Sequence, residues 1–133
     1  MKTVTIKQSV TFSATPEQVY HLIMDEKKHA AFTGTKVSMS TKVNGKFSIF
    51  DGFCHGYNIE LIEGKKIVQA WNFKEEGWPD DHYSLCTFVL EKAGDKTKLS
   101  FLQTGIPEDN AASLKQGWKD FYWVPMKAYL KEN

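Results

Sequence analysis

Four histidines, His21, His29, His55 and His82, are the first place to look for chemistry, because imidazole serves as a base and as a metal ligand. They form neither an HxH pair nor an HExxH helix face, so no metal centre is expected. The carboxylates offer little more. Asp80-Asp81 follow Pro79 in a turn, Glu75-Glu76 make a charged loop tip, and Glu60 has Lys74 as its expected cross-strand partner. No serine occupies a strand-to-helix elbow, so no activated hydroxyl is expected. Asp51-Gly52 and Gly56 lack the GxxxxGK[ST] spacing of a phosphate loop and read as strand bends. Cys54 and Cys86 sit in neither a CxxC nor a zinc pattern, so two buried free thiols are expected.

What remains is chemistry by contact. The chain carries 9 Phe, 5 Tyr and 4 Trp. Trp71, Trp118 and Phe121 are candidates either for the core or for the wall of a cavity. His55 shares its strand phase with Phe53, Tyr57 and Ile59, which points it and Tyr57 inward as contacts for a ligand. Trp78, stiffened by Pro79, and Trp123, out of phase with the helical stripe around it, are the candidates for a surface interaction. Eighteen bulky rings in so small a body are expected to fill a cavity and not to leave one.

Local patterns define the elements that must position these residues. Residues 3–12 alternate strictly, with Val4, Ile6, Val10 and Phe12 on one face and Gln8 among them, as in a strand with one buried side. Thr15-Pro16-Glu17-Gln18 is a capping box with proline at the first helical position. Asp25 caps a second short helix that stops at Gly34. Six further strands are expected at 36–41, 46–50, 53–62, 66–74, 82–91 and 96–104. Turn residues such as Asn44-Gly45, Glu63-Gly64-Lys65 and Gly94-Asp95 separate them, and connections this short imply antiparallel neighbours. From about 109 to 131, Leu114, Trp118, Phe121, Pro125 and Tyr129 recur at helical steps, with a kink expected at Pro125.

Strand, two short helices, six strands and a long helix make an α+β chain. A strongly curved seven-stranded antiparallel sheet needs its open side filled, and the aromatic C-terminal helix is the element to fill it. With 133 residues, a single domain covering 1–133 is expected. Hydrophobic residues at 41% and charged residues at 25% are globular proportions. Lysine supplies all 17 basic charges against 16 carboxylates. The missing arginine fork argues against nucleic-acid binding. Near-zero net charge suits a monomer or a weak homodimer. No apolar run reaches the length of a signal peptide or a membrane span, so a cytoplasmic chain without membrane attachment is expected.

Read together, several stretches resemble one family. They are TPEQVYHLI (15–23), HAAFTG (29–34), VNGKFSIFDGFCHG (43–56), KKIVQAWNF (65–73), WPDDHYS (78–84), TKLSFLQTGIP (97–107) and GWKDFYWVPMKAYL (117–130). In this order they resemble the C-terminal domain of the activators of Hsp90 ATPase, a branch of the Bet v 1-like (START, SRPBCC) helix-grip superfamily. The resemblance implies the fold read above and a partner of the Hsp90 chaperone type. The eukaryotic activators carry a separate N-terminal Hsp90-binding domain, and none is expected within these residues. Here Asn44-Gly45 stands where the family often has two glycines, and the loop between Trp71 and Trp78 is about two residues longer.

Two functions follow as expectations. The first is a non-enzymatic, co-chaperone-like binding domain. The alternative is a carrier or sensor of a small apolar ligand held between sheet and helix, with Trp71, Trp118 and Phe121 as its wall and His55 as its polar contact. No cofactor is expected with either.

Overall fold

Thr15 accepts a hydrogen bond from the Gln18 amide while the Gln18 side chain accepts one from the Thr15 amide, so the capping box starts helix α1 (Pro16–Met24) as its residues dictate. Asp25 then caps α2 (Glu26–Thr33) through Lys28 N, and Gly34 closes it in the left-handed conformation at φ 68°. These features belong to a computed structural model that describes residues 1–132.

Seven strands form one antiparallel sheet: β1 (Thr3–Phe12), β2 (Ser38–Met39), β3 (Lys46–Ile49), β4 (Cys54–Ile62), β5 (Lys66–Phe73), β6 (Ser84–Ala93) and β7 (Lys96–Pro107). The spatial order is β1-β7-β6-β5-β4-β3-β2, a meander of six strands onto whose last member β1 folds back. Register breaks at Val4/Ile6 and Asn58/Glu60 help the sheet curl around its contents. The expected strand at 36–41 shrinks to Ser38–Met39. Likewise the strand expected from residue 82 begins at Ser84, because His82 turns out of the ladder to bond Gly105 O at 2.6 Å. Glu60 pairs with Lys66 at 3.0 Å and not with Lys74, since the Asn58/Glu60 bulge sets Glu60 opposite Val68, near the start of β5.

The concave face receives the C-terminal helix, which runs from a 3₁₀ turn (Glu108–Asn110) through α3 (Ala111–Trp118) and a π-helical turn (Lys119–Trp123) into α4 (Val124–Glu132). The irregularity expected at Pro125 takes this form. Proline has no N–H for the Phe121 carbonyl, and just ahead of it Val124 N bonds Lys119 O, five residues back. In the widened turn, residues four and five apart share a face. Trp118 is therefore joined in the core by Tyr122 and Trp123, while Phe121 rotates out to 56% exposure. Trp123 corrects the expectation of a surface residue. It is buried, stacks on Trp118 at 5.7 Å, and donates to Gln8 Oε1 at 2.6 Å. That bond also explains a glutamine on the inward face of β1.

Candidate functional site

Between β4, β5 and the helix lies a cavity of about 390 Å³, so the eighteen rings do not fill the body as expected. Three local choices open it. Gly117 puts no side chain on the helix face that looks at β5, and a Cβ there would meet only the Phe121 ring. Phe121 itself has swung to the rim. The β3–β4 turn holds Phe50 and Asp51 at φ 55° and 53°, a costly backbone for such residues, and this sets Phe50 on the wall, edge-on to Phe121 at 5.8 Å. Phe53, 40% exposed, stands at the mouth.

The floor is aromatic. Trp71 and Trp118 meet edge to face at 5.1 Å, and Phe73 stacks on Trp71 at 5.7 Å. Neither indole offers a donor to a ligand. Trp71 Nε1 donates to Gln69 Oε1 at 2.9 Å, and Trp118 Nε1 donates to Gln103 Oε1 at 2.7 Å. The Tyr122 hydroxyl is spent as well. His29 Nδ1–H donates to Ile23 O, which leaves Nε2 to accept from Tyr122 Oη, each at 2.7 Å. Burial lowers His29 to a pKa of about 4, partly offset by the Ile23 bond, so the ring is neutral at pH 7. Cys54 lines the cavity, but burial, with Glu75 adding to it, pushes its thiol well above the usual range. A protonated thiol is a weak nucleophile. Cys86 is likewise buried and free. The surface presented inside is apolar, with Glu75 and Ser113 as its polar exceptions at the open end.

Of the residues expected to line a cavity, Trp71 and Trp118 form its floor and Phe121 its rim. His55 and Tyr57 are elsewhere. On β4 it is Cys54, Gly56 and Asn58 that face inward, so the more apolar phase of this strand is the outer one. Gly56 is required there, because a Cβ would run into the Ala70 carbonyl and the Phe47 ring. Asn58 is tolerated there because its side chain is saturated by Ser40 O, Lys42 O and Gln69. His55 instead meets the Tyr83 ring at 5.9 Å on the outside. Trp78, expected at the surface, is buried against Phe73 at 4.9 Å and donates to His82 O at 2.7 Å. The wall residues missed by sequence reasoning include Phe50, Phe53, Phe73, Leu114 and Gly117. The one available signal was Gly117, a glycine inside a helix where alanine would be more stable.

A second surface comes from the same inversion. Tyr57, Ala70 and Leu85 stand in one cross-strand row on the outer face of β4, β5 and β6. Tyr57 is 39% exposed, Leu85 40% and Tyr83 41%, with Tyr83 against Tyr57 at 5.7 Å. Among the described residues no group of side chains is arranged to hold a metal ion, and no helix is long and apolar enough to cross a membrane.

Known proteins place this arrangement. Residues 13–131 match the family model described as activator of Hsp90 ATPase homolog 1-like protein. The human activator of 90 kDa heat shock protein ATPase homolog 1 is 30% identical over 124 residues, which are 93% of this chain and 36% of that protein. The chain thus spans about a third of the length of the curated relatives it matches. Among solved structures, an HSP90 activator from Plasmodium falciparum superposes with a TM-score of 0.87 at 24% identity, covering 96% of each chain. The Aha1 dimer from Colwellia psychrerythraea gives 0.78 at 20% identity, again covering 96% of each. These two likenesses concern the fold. With a curved sheet, a gripped helix and a family match over nearly all its length, the chain belongs to the activator of Hsp90 ATPase homolog 1-like family, within the Bet v 1-like helix-grip superfamily.

Proposed function

We propose that this chain works by binding a protein partner of the Hsp90 chaperone type, through the outer face of its sheet, in a reducing cytoplasm. The observation that carries the reading is the row Tyr57–Ala70–Leu85 with Tyr83 just ahead of β6, three large side chains about 40% exposed on the outer side of the sheet, in a chain of this family. Aromatic anchors on a stiff support suit an interface. A patch of this size fits a small, transient contact, with micromolar affinity and salt sensitivity from Lys46, the cross-strand neighbour of Tyr57. Titration against the Hsp90-type chaperone of the same organism should give saturable binding and at most a small change in ATP hydrolysis. The double variant Tyr57→Ser/Leu85→Ser should weaken binding about tenfold or more. Absence of saturable binding, or an unchanged affinity in a folded double variant, would refute the proposal.

The cavity favours a second reading, in which the chain carries a small apolar ligand. A volume of about 390 Å³ lies within the range of small-molecule sites, and its lining is apolar. Uptake of a neutral apolar probe with a stoichiometry of one would support it.

A further inference from the structure

The mouth of the cavity is acidic, and this bears on what could occupy it. Next to the opening, and sharing Phe53, Glu75 and Ser113 with it, is a shallower cleft formed with Glu76, Gly77, Asp109 and Asn110. Three acidic residues, Glu75, Glu76 and Asp109, therefore line the cleft where the apolar wall ends. None of them forms an ion pair among the described residues, whose ion pairs are Lys2–Glu108, His21–Glu63 and Lys66–Glu60. Glu75 is half-buried, and its Oε1 accepts from Asn110 Nδ2 at 3.0 Å. That bond fixes the carboxylate at the rim and leaves Oε2 without a partner among the described residues.

Asn110 supplies the independent observation. It is 3% exposed, and its amide nitrogen serves Glu75 and Glu76 O, but its Oδ1 accepts nothing. This is the one buried side-chain nitrogen or oxygen among the described residues without a partner. It points towards Gly77, where a Cβ would stand 3.6 Å away, on the wall of the cleft. A buried acceptor without a donor costs free energy unless a donor arrives. The start of α3 lies at the same place and would favour an anion, but a helix end is worth about half a positive charge, against three carboxylates.

We propose that the cavity takes an apolar ligand bearing an ammonium head, the chain lying against Trp71, Trp118 and Leu114 and the head held at the rim by Glu75 and Glu76. This rests on the ligand-carrier reading and is independent of the chaperone contact. Phe53, which lines both the cavity and the cleft, adds an aromatic ring at the same opening, where a cation is favoured over an anion. The apolar part needs no hydrogen bond inside, where both indole donors are already used.

The test compares octylammonium, octanol and octanoate by calorimetry at pH 7, each below its micellar concentration, on the wild-type chain and on Glu75→Gln/Glu76→Gln. The glutamine amide oxygen can still accept from Asn110, so the rim keeps its shape, and circular dichroism confirms that the variant is folded. Octylammonium should bind about tenfold or more tighter than octanoate, with octanol between them. That preference should fall to within about threefold in the variant and shrink with added salt. Octanoate binding as tightly as octylammonium, or an undiminished preference in the variant, would overturn the inference. Octanol binding without any preference for the cation would remove the inference and leave the carrier reading standing. Binding of none of the three would remove both.

Discussion

Trp118→Ala is the sharpest probe of how sheet and helix hold together. The ring is 3% exposed. Its centroid lies 4.4 Å from Phe101, 4.7 Å from Tyr122 and 5.1 Å from Trp71, so it joins β7, the π turn and β5 in one contact. Truncating a buried aromatic to alanine costs about 3–5 kcal/mol. Gln103 Oε1, which accepts from the indole at 2.7 Å, would lose its donor, worth a further ~1–3 kcal/mol in a dry core. Here the second cost is reduced, because Trp118 borders the cavity and the vacated space would open into it, letting water reach Gln103. The expected loss is therefore about 4–5 kcal/mol, a large share of the ~5–15 kcal/mol of a whole domain. Urea denaturation followed by far-UV circular dichroism measures it without relying on the removed fluorophore. Trp118→Phe keeps most of the apolar volume and loses only the donor, so it should cost ~1–2 kcal/mol. A loss below about 2 kcal/mol for alanine at an unchanged m-value would refute the packing argument. Equal losses for alanine and phenylalanine would assign the effect to the hydrogen bond.

Two further outcomes follow from buried groups. His29 has a folded pKa of about 4 against an unfolded value near 6.5, so the unfolded state binds the extra proton first. Stability should be full above pH ~6.5 and fall towards pH 4 by about 3 kcal/mol at most, and His29→Gln should flatten that window in a pH series of urea melts. Gly56→Ala should cost about 1–3 kcal/mol although alanine is the better strand residue, because the new Cβ meets the fixed Ala70 carbonyl; a neutral or stabilised variant in the same assay would show that β4 can shift.

The elements were legible because each carries its own local chemistry. The Thr15–Gln18 box, the Asp25 cap, Gly34 and the alternation of residues 3–12 act within a few residues of themselves, and the structure follows them. The site was less legible because its geometry is set by pairing between distant segments. On β4 the pattern Phe53, His55, Tyr57, Ile59 looks like a buried phase. Yet Gly56 must face Trp71 across the ladder, and Asn58 must reach Ser40 and Lys42, and these contacts turn the apolar phase outward. Trp78 illustrates the converse. Stiffened by Pro79, it is a candidate for a surface interaction by sequence, but its indole N–H reaches His82 O, and that bond becomes visible only when Pro79 has turned the chain.

In the C-terminal helix one backbone irregularity decides which rings face the cavity. Had the segment around Pro125 continued as a regular α-helix, Trp118, Phe121 and Pro125 would have shared its inward stripe, and Trp123 would have faced away. The π turn before the proline exchanges the two. Trp123 goes in, where Gln8 satisfies it, and Phe121 goes out to the rim. The volume that Phe121 vacates lies opposite Gly117, which cannot refill it, and the result is the cavity. π turns inside α-helices occur frequently at functional sites. Here the turn also carries Tyr122, whose hydroxyl is fixed by the neutral His29 of α2. The short helices and the aromatic helix are thus tied at the point where the cavity is made. The carrier reading accordingly depends on the π turn, whereas the outer row of Tyr57, Ala70 and Leu85 depends only on the sheet. Changes that regularise the helix should separate the two readings, abolishing probe uptake while leaving chaperone binding unchanged.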